Sequence, residues 1–398
     1  MKKIIQPATW LILLMAGLPQ FSETVYTPSL PDVAYSFLVS ESVAEYTLTI
    51  YLLGMAIGTL FWGNFSDKHG RKPCILAGFF IFILGCLGCY YAQSMTVFMI
   101  SRLIQGFGGS VGSVLTQAVS RDAFHGPALG KIYSSVGSAL SIFPAIGPVL
   151  GGLIAGQWGW PSVFLFLIAC GVGLNFLIHQ RLQETHPIAN RKPISLKSVG
   201  LRLLKDKKVL GLGLIVGAAQ GIPFSYFSEA PFYLTKVLDL SPQYYGLSFI
   251  LIALSTMCGG IVSRKLLGRY ASQKVLNIGL MVIVGATTFF SLCVLCHSVF
   301  HLIPDTGMIA ITIAAQMITM FGICMATSNA LALALVDYKD CIGTASSFFG
   351  CFYYGVVSFF TFGMGFLHNG TLLPMPFYFL GLSLFCLLVR GWMSRENV

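Results

Sequence analysis

Two glutamates occupy positions where a charged side chain is costly. Glu23 lies in FSETVYTP, which follows the apolar run ATWLILLMAGLP, and Glu229 lies in FSEAPFYL, again inside an apolar segment. Low-dielectric burial disfavours the charged form of a carboxyl group, so a carboxyl in such a place can take up and release a proton near neutral pH. In its charged form it can neutralise a cation. Where proton and cation compete for one carboxylate, the inward movement of one drives the outward movement of the other. A single charge moving down 100 mV supplies about 2.3 kcal/mol for this. Arg102, in RLIQGFGGSVG, is a third such group. An arginine in an apolar span either faces the interior and finds a partner or snorkels to the interface.

The elements that position these groups follow from composition. Of 398 residues, 56% are hydrophobic and only 10% are charged, against about a quarter charged in soluble domains. A single soluble core cannot hide that much apolar side chain, so the solvent is lipid. Bilayer-spanning helices need about 20 largely apolar residues. The runs here are long and continuous, unlike the roughly 10-residue alternating segments of a membrane barrel. The start of the chain, with its basic residues and apolar core, resembles a signal peptide. It lacks a small-x-small cleavage site and is read as the first span.

Twelve apolar segments emerge, at 7–29, 43–65, 74–92, 96–119, 130–155, 161–180, 209–234, 243–264, 273–297, 307–336, 342–367 and 373–392. Between the sixth and seventh lies a basic, Pro-punctuated linker in which SLKSVGLRLL has the pattern of a surface amphipathic helix. The expected organisation is an all-α membrane protein of twelve transmembrane helices in two six-helix domains, with bundles at 1–182 and 209–398 and a cytoplasmic linker at 183–208. By these limits Glu23 is about 24 Å and Glu229 about 30 Å along its helix from the cytoplasmic end.

Charge placement agrees with this count. Lys2, Lys3, Lys68, Arg71, Lys72, Arg121, Lys131, the linker cluster, Arg264, Lys265, Arg269, Lys274, Lys339, Arg390 and Arg395 all fall on one side; Lys236 and Arg102 are the exceptions. The positive-inside rule then puts both termini in the cytoplasm. The net charge of +10 is therefore topology rather than a nucleic-acid footprint. The C-x-x-C pairs Cys86/Cys89 and Cys293/Cys296 lie inside apolar spans without a second pair or matching histidine, and read as small hydrophobes. No metal, cofactor or nucleic acid is expected. An enzyme would need a clustered His/Cys/Asp set at the interface, a channel a repeated pore loop, and an ATP-driven pump G-x-x-x-x-G-K-[ST]; none is found. A weak internal repeat, GNFSDKHGRK after the second span and GIVSRKLLGR after the eighth, supports parallel six-helix halves.

On these motifs the chain resembles the major facilitator superfamily, and within it the drug:proton antiporters of the Bcr/CflA and EmrD type. GNFSDKHGRKP matches the family's loop between helices two and three through Gly63, Asp67, Gly70, Arg71 and Lys72. The resemblance implies a cytoplasmic latch, with Asp67 against the start of helix eleven near Gly343 and Thr344, and Arg71 paired with Asp122. RLIQGFGGSVG matches the helix-four pattern through Arg102 and Gly106, with Gln105 as companion, and implies a role in proton coupling. PAIGPVLGG resembles the antiporter motif of helix five through Gly147, Pro148, Gly151 and Gly152, with Pro144 as in the Bcr/CflA variant. YTPSLP resembles the end of helix one, although the family's acidic position falls on Thr24 here and Glu23 lies one residue earlier.

The resemblance implies an inner-membrane secondary transporter, expected as a monomer, that moves small molecules and protons by alternating access. Proton-driven efflux of lipophilic or cationic compounds is the first expectation. Export of an endogenous metabolite, peptide or siderophore is the alternative, and the GPVLGG match counts against an uptake symporter. Since the first and seventh helices line the family's cavity, Glu23 and Glu229 are expected to face one cavity from opposite halves. Tyr26, Gln105, Gln220, Tyr226, Phe227, Asn329 and Phe352 are the candidate cavity residues.

Overall fold

The structure is a computed structural model that describes residues 6–124, 127–187, 196–338 and 341–394, apart from some side chains in 127–145 and at 196, 242 and 243. Every regular element among the described residues is a helix. α1 (Thr9–Thr24) is followed by a 3-10 turn (Thr27–Ser29) and α2 (Leu30–Ser36). Then come α3 (Glu41–His69), α4 (Arg71–Tyr90), α5 (Met95–Ala123), α6 (Pro127–Trp158) and α7 (Pro161–Arg181). A short α8 (Leu196–Lys205) precedes α9 (Lys207–Phe232), α10 (Pro242–Leu267), α11 (Ser272–Phe300), α12 (Asp305–Ala334), α13 (Ile342–Leu367) and α14 (Pro374–Ser394). The twelve predicted spans correspond to α1, α3–α7 and α9–α14. Among the described residues nine of these are long and apolar enough to cross a bilayer; α1, α5 and α6 complete the bundle. In lipid the backbone must satisfy its own hydrogen bonds, which is why the apolar runs become helices.

Helices alternate in direction, so Thr9, His69 and Ser394 share one end of the bundle, called here the near end. Glu41, Phe232 and Leu367 share the far end. Packing repeats between halves. α4 lies on α5 and α7 as α11 lies on α12 and α14; α1 lies on α6 as α9 lies on α13. The halves meet through two equivalent pairs, α3 against α13 and α10 against α6. One apolar core is built almost wholly from α1–α7. The other comes from α8–α14 and also takes in Leu48, Tyr51, Leu52, Met55 and Ala56 of α3. The connecting α8 is amphipathic: Val199 and Leu203 are buried while Leu201 and Leu204 are exposed.

The α1–α6 contact governs the first glutamate, and glycines make it possible. A Cβ added at Gly147 would collide with the Thr24 side chain, and one at Gly151 with the Val25 carbonyl, whereas one at Gly152 would meet nothing. The predicted antiporter motif therefore divides. Gly147 and Gly151 bring α6 onto the last turn of α1, the turn that carries Glu23, and Gly152 takes no part in that contact. Because the Val25 carbonyl is backbone, it cannot rotate away as a side chain would. Gly151→Ala is expected to cost about 1–3 kcal/mol through overpacking and to lower the thermal midpoint of the purified protein in detergent. Gly152→Ala should leave that midpoint unchanged.

Candidate functional site

At the near end the loop motif folds around one arginine. Gly70 takes φ 100°, a conformation open to glycine, and turns the chain from α3 into α4 within a single residue. Arg71 donates from Nη1 to Asp67 and to Ser66 Oγ, both at 2.6 Å, and from Nε to Asp122 at 3.0 Å. The pairing with Asp122 is the one the motif implies. Asp67 turns to Arg71, without a hydrogen bond to the start of α13 among the described residues, and Asp67 and Gly343 line the same cavity. Gly63 packs closely on Ser347 of α13. Lys72 donates from Nζ to the His179 carbonyl, 2.7 Å away. Glu184 was not singled out from sequence. Its carboxylate accepts the backbone N–H of Arg71 (2.9 Å) and of Lys72 (3.2 Å), and so caps the start of α4 from the segment after α7. The sequence signal was faint: one acid after the sixth span, with nothing local to aim it.

At the centre of the first half Glu23 and Arg102 are both fully buried. The snorkelling alternative for Arg102 is thus excluded. Its guanidinium sits between the rings of Tyr26 (4.7 Å) and Tyr51 (4.5 Å), an arrangement in which ring faces stand in for water. Nη1 donates to Gln105 Oε1 at 2.6 Å, and Gln105 Nε2 donates to Ser22 Oγ at 3.0 Å. That chain holds the α1 turn against α5. Glu23 lies within electrostatic reach of Arg102, Tyr353 and Tyr354. Neither of its oxygens accepts a hydrogen bond among the described residues.

A cavity of about 710 Å³ lies between the halves toward the near end. Its walls include Thr59, Ser113, Gln117, Arg121, Tyr353 and Tyr354. None of the seven residues proposed from sequence lines it. Tyr26 and Gln105 are committed to Arg102. Tyr226 and Phe227 pack their rings at a tilt against Phe249 in the second core. Asn329 spends its amide on Ser263 Oγ (3.0 Å) and the Met325 carbonyl (2.8 Å). Gln220 lies outside the lining, and the Phe352 ring packs on Gly213. Phe352 precedes the lining Tyr353 by one residue, which is about 100° of helix. Pro148 lies at the α6–α10 contact, near Gly246; the Pro144 side chain is outside the described residues.

The pairing of Glu23 with Glu229 in one cavity is also corrected. Glu229 lies at the far end, in a cluster that closes the halves on each other. Glu41 and Glu45 are one turn apart on α3 and face the same way. His368, just beyond α13, has Nδ1 at 3.0 and 2.9 Å from the two Glu229 oxygens and 3.2 Å from Glu45. Its Nε2 is 3.0 Å from Glu41, and Lys236 also donates to Glu41. Burial alone would lower the pKa of His368; the carboxylates of Glu229 and Glu41 outweigh it and hold the imidazole above its ordinary value. Two further contacts seal this end: Ser358 Oγ donates to the Thr49 carbonyl (3.0 Å), and Tyr46 stacks on Phe362.

Residues 12–362 match the family model described as Major Facilitator Superfamily. The chain belongs to that family. An uncharacterized transporter of Rickettsia felis is 32% identical, with 94% of this chain and 92% of that protein aligned. A bicyclomycin resistance protein homolog of Haemophilus influenzae is 28% identical over 87% and 86%. Multidrug resistance protein D of Escherichia coli is 28% identical over 61% of each chain. Among solved structures, a D-xylose-proton symporter superposes with a TM-score of 0.74 at 14% identity, covering 95% of this chain and 96% of that one. At that identity the likeness speaks for the fold. As a major facilitator the chain is a membrane transporter, and its twelve-helix, two-half architecture is the family's own.

The capping by Glu184 is testable by itself. Losing a cap of this kind costs about 1 kcal/mol. Glu184→Ala should therefore speed amide exchange at Arg71 and Lys72 by about fivefold in hydrogen-exchange mass spectrometry, with the core of α5 unchanged.

Proposed function

We propose that this transporter exports lipophilic or cationic small molecules in exchange for protons, by alternating access across a bacterial inner membrane. Both termini would lie in the cytoplasm, as the basic near-end loops favour. The moving units would be residues 1–182 and 209–398, with 183–208 as the linker.

One observation carries the reading. Glu23 is a fully buried carboxyl group without a hydrogen-bond partner among the described residues, within reach of Arg102 on one side and of the cavity tyrosines on the other. A carboxylate with its hydrogen bonds already satisfied would have little reason to change its charge. An unsatisfied one gains from taking a proton or from meeting a cation, and it cannot hold both. Loading substrate at the near end would discharge the proton, and a proton arriving from the far side would discharge the substrate. Arg102 lies within electrostatic reach of Glu23, and its own position rests on Tyr26, Tyr51 and Gln105. The tyrosine-rich wall of α13 offers aromatic faces to a lipophilic cation. The names of the bicyclomycin- and multidrug-resistance relatives support export, and Gly147 and Gly151 support the antiporter character of α6.

Substrate-induced proton release in proteoliposomes, across a panel of lipophilic cations and neutral compounds, tests this. The wild-type chain should release protons with at least one cation, and Glu23→Gln should reduce that release to background. Undiminished release in Glu23→Gln would sink the assignment. If no panel compound moves protons while Glu23 still binds them, export of an endogenous product becomes the better reading.

A further inference from the structure

The far-end cluster holds more negative charge than its cations serve. Lys236 is spent on Glu41, and so is the Nε2–H of His368. That leaves the buried pair Glu45 and Glu229, 1% and 3% exposed, facing one imidazole nitrogen. Nδ1 carries at most one hydrogen, yet three carboxylate oxygens lie within 3.2 Å of it. Glu229 takes it in regular hydrogen-bond geometry; neither oxygen of Glu45 accepts a hydrogen bond among the described residues. Two buried carboxylates sharing one donor are unfavourable, because like charges in a low dielectric repel strongly.

A proton on Glu45 would remove this imbalance, and so would a divalent cation in place of the Nδ1 proton, but only the cation engages all three groups at once. One oxygen of Glu45, one of Glu229 and Nδ1 of His368 all lie within 4.8 Å of one another. Bonds of about 2.0–2.2 Å from a tetrahedral ion would set its ligand atoms about 3.3–3.6 Å apart. The observed separations of 2.9 and 3.2 Å to Nδ1 are shorter than that, so binding an ion would part the ligand atoms by a few tenths of an ångström. The second contact of the imidazole points the same way. A metal-bound histidine usually donates its other N–H to a carboxylate, which fixes tautomer and ring plane, and Glu41 stands 3.0 Å from Nε2 in that position. An imidazole with two carboxylates suits a first-row transition ion or zinc; magnesium and calcium favour all-oxygen shells.

We propose that Glu45, Glu229 and His368 form a binding site for a divalent transition-metal ion, with Glu41 orienting the histidine. The ion replaces the proton on Nδ1, leaves Nε2–H on Glu41, and neutralises the two buried carboxylates. Glu45 belongs to the first half and the other two ligands to the second. The bound ion therefore staples the halves together at the far end. It acts as a clamp on the conformation described here, and it stops alternating access for as long as it stays. That consequence rests on the alternating-access reading above; the binding itself does not.

The test uses the full-length chain in detergent, stripped with a chelator. Zinc is titrated by equilibrium dialysis with metal analysis, and cobalt is added separately to follow its visible d–d absorption. Wild type should bind one zinc per chain, gain a cobalt spectrum of mixed nitrogen and oxygen ligation, and show a higher thermal midpoint in saturating zinc. Glu45→Gln and His368→Asn should each abolish the stoichiometric site and the cobalt spectrum. Glu41→Gln should weaken zinc about ten- to a hundredfold, as loss of an orienting carboxylate does. His297→Gln, away from the cluster, should bind as wild type. Each variant is compared only if its metal-free form elutes and melts as a folded protein, and the wild-type titration stands without them. No stoichiometric zinc on the wild-type chain, or binding that survives Glu45→Gln and His368→Asn, overturns the site. Binding that obeys these substitutions in a chain whose Glu23→Gln form still releases protons would keep the site and discard the coupling assignment.

Discussion

A charge inside a bilayer has no water to turn to, and the structure is organised around that constraint. Each deeply placed ionic group is given a substitute for its hydration shell. Arg102 has two tyrosine faces and a glutamine oxygen. Arg71 has two carboxylates and a serine hydroxyl. The far-end acids share a histidine and a lysine. Such substitutes need several helices to meet at one place, so the charged residues fix which helices must touch. Glu23 and Glu45 are both buried without a hydrogen bond to the carboxylate among the described residues, but Glu45 has the His368 imidazole 3.2 Å away, and no described ion pair involves Glu23. Buried acids left short of partners inside a membrane protein mark its functional places.

The two ends of the molecule handle charge differently. At the near end the described ion pairs of Arg71 with Asp67 and Asp122, and of Lys208 with Asp337, each stay within one half. At the far end Glu41 and Glu45 of α3 reach across to Lys236 and His368. The near end has crossing contacts as well, with Arg121 Nη2 donating to Ser346 Oγ at 3.4 Å and Gly63 packed on Ser347, but the described ion pairs that span the halves are at the far end. The cavity accordingly lies toward the near end. Glycines give the same frame its precision. Without Gly147 and Gly151, α6 would stand off from the last turn of α1, and that turn is what sets Glu23 beside Arg102.

Much of this was legible in the chain. The twelve spans and their two-half grouping followed from apolar runs long enough to cross a bilayer, interrupted by one polar linker. The pairing of Arg71 with Asp122 came from the resemblance of the loop motif to the family's, and the structure has it at 3.0 Å. Less legible was the helix face on which a polar residue lies. In a helix apolar all round, hydropathy carries no phase, so Phe352 and Tyr353 are indistinguishable until α13 is packed. Asn329 and Tyr226 were credible cavity residues for the same reason, and both are consumed by helix packing.

What the sequence determined by itself was the solvent, the number of spans, the family, and the fact that Glu23, Arg102 and Glu229 are expensive where they stand. These are local properties, set by length, hydropathy and short motifs. What only the tertiary structure decided was partnership. Glu45, Glu229 and His368 come from three different helices or their ends, far apart along the chain, and nothing local to any of them announces the others. Glu23 and Glu229 share a triplet in sequence and still belong to different sites, since one lies on the α6–α5 side of its half and the other on the seam with α3. Side-chain chemistry is written residue by residue, whereas the distance between two charges is set by how the helices pack.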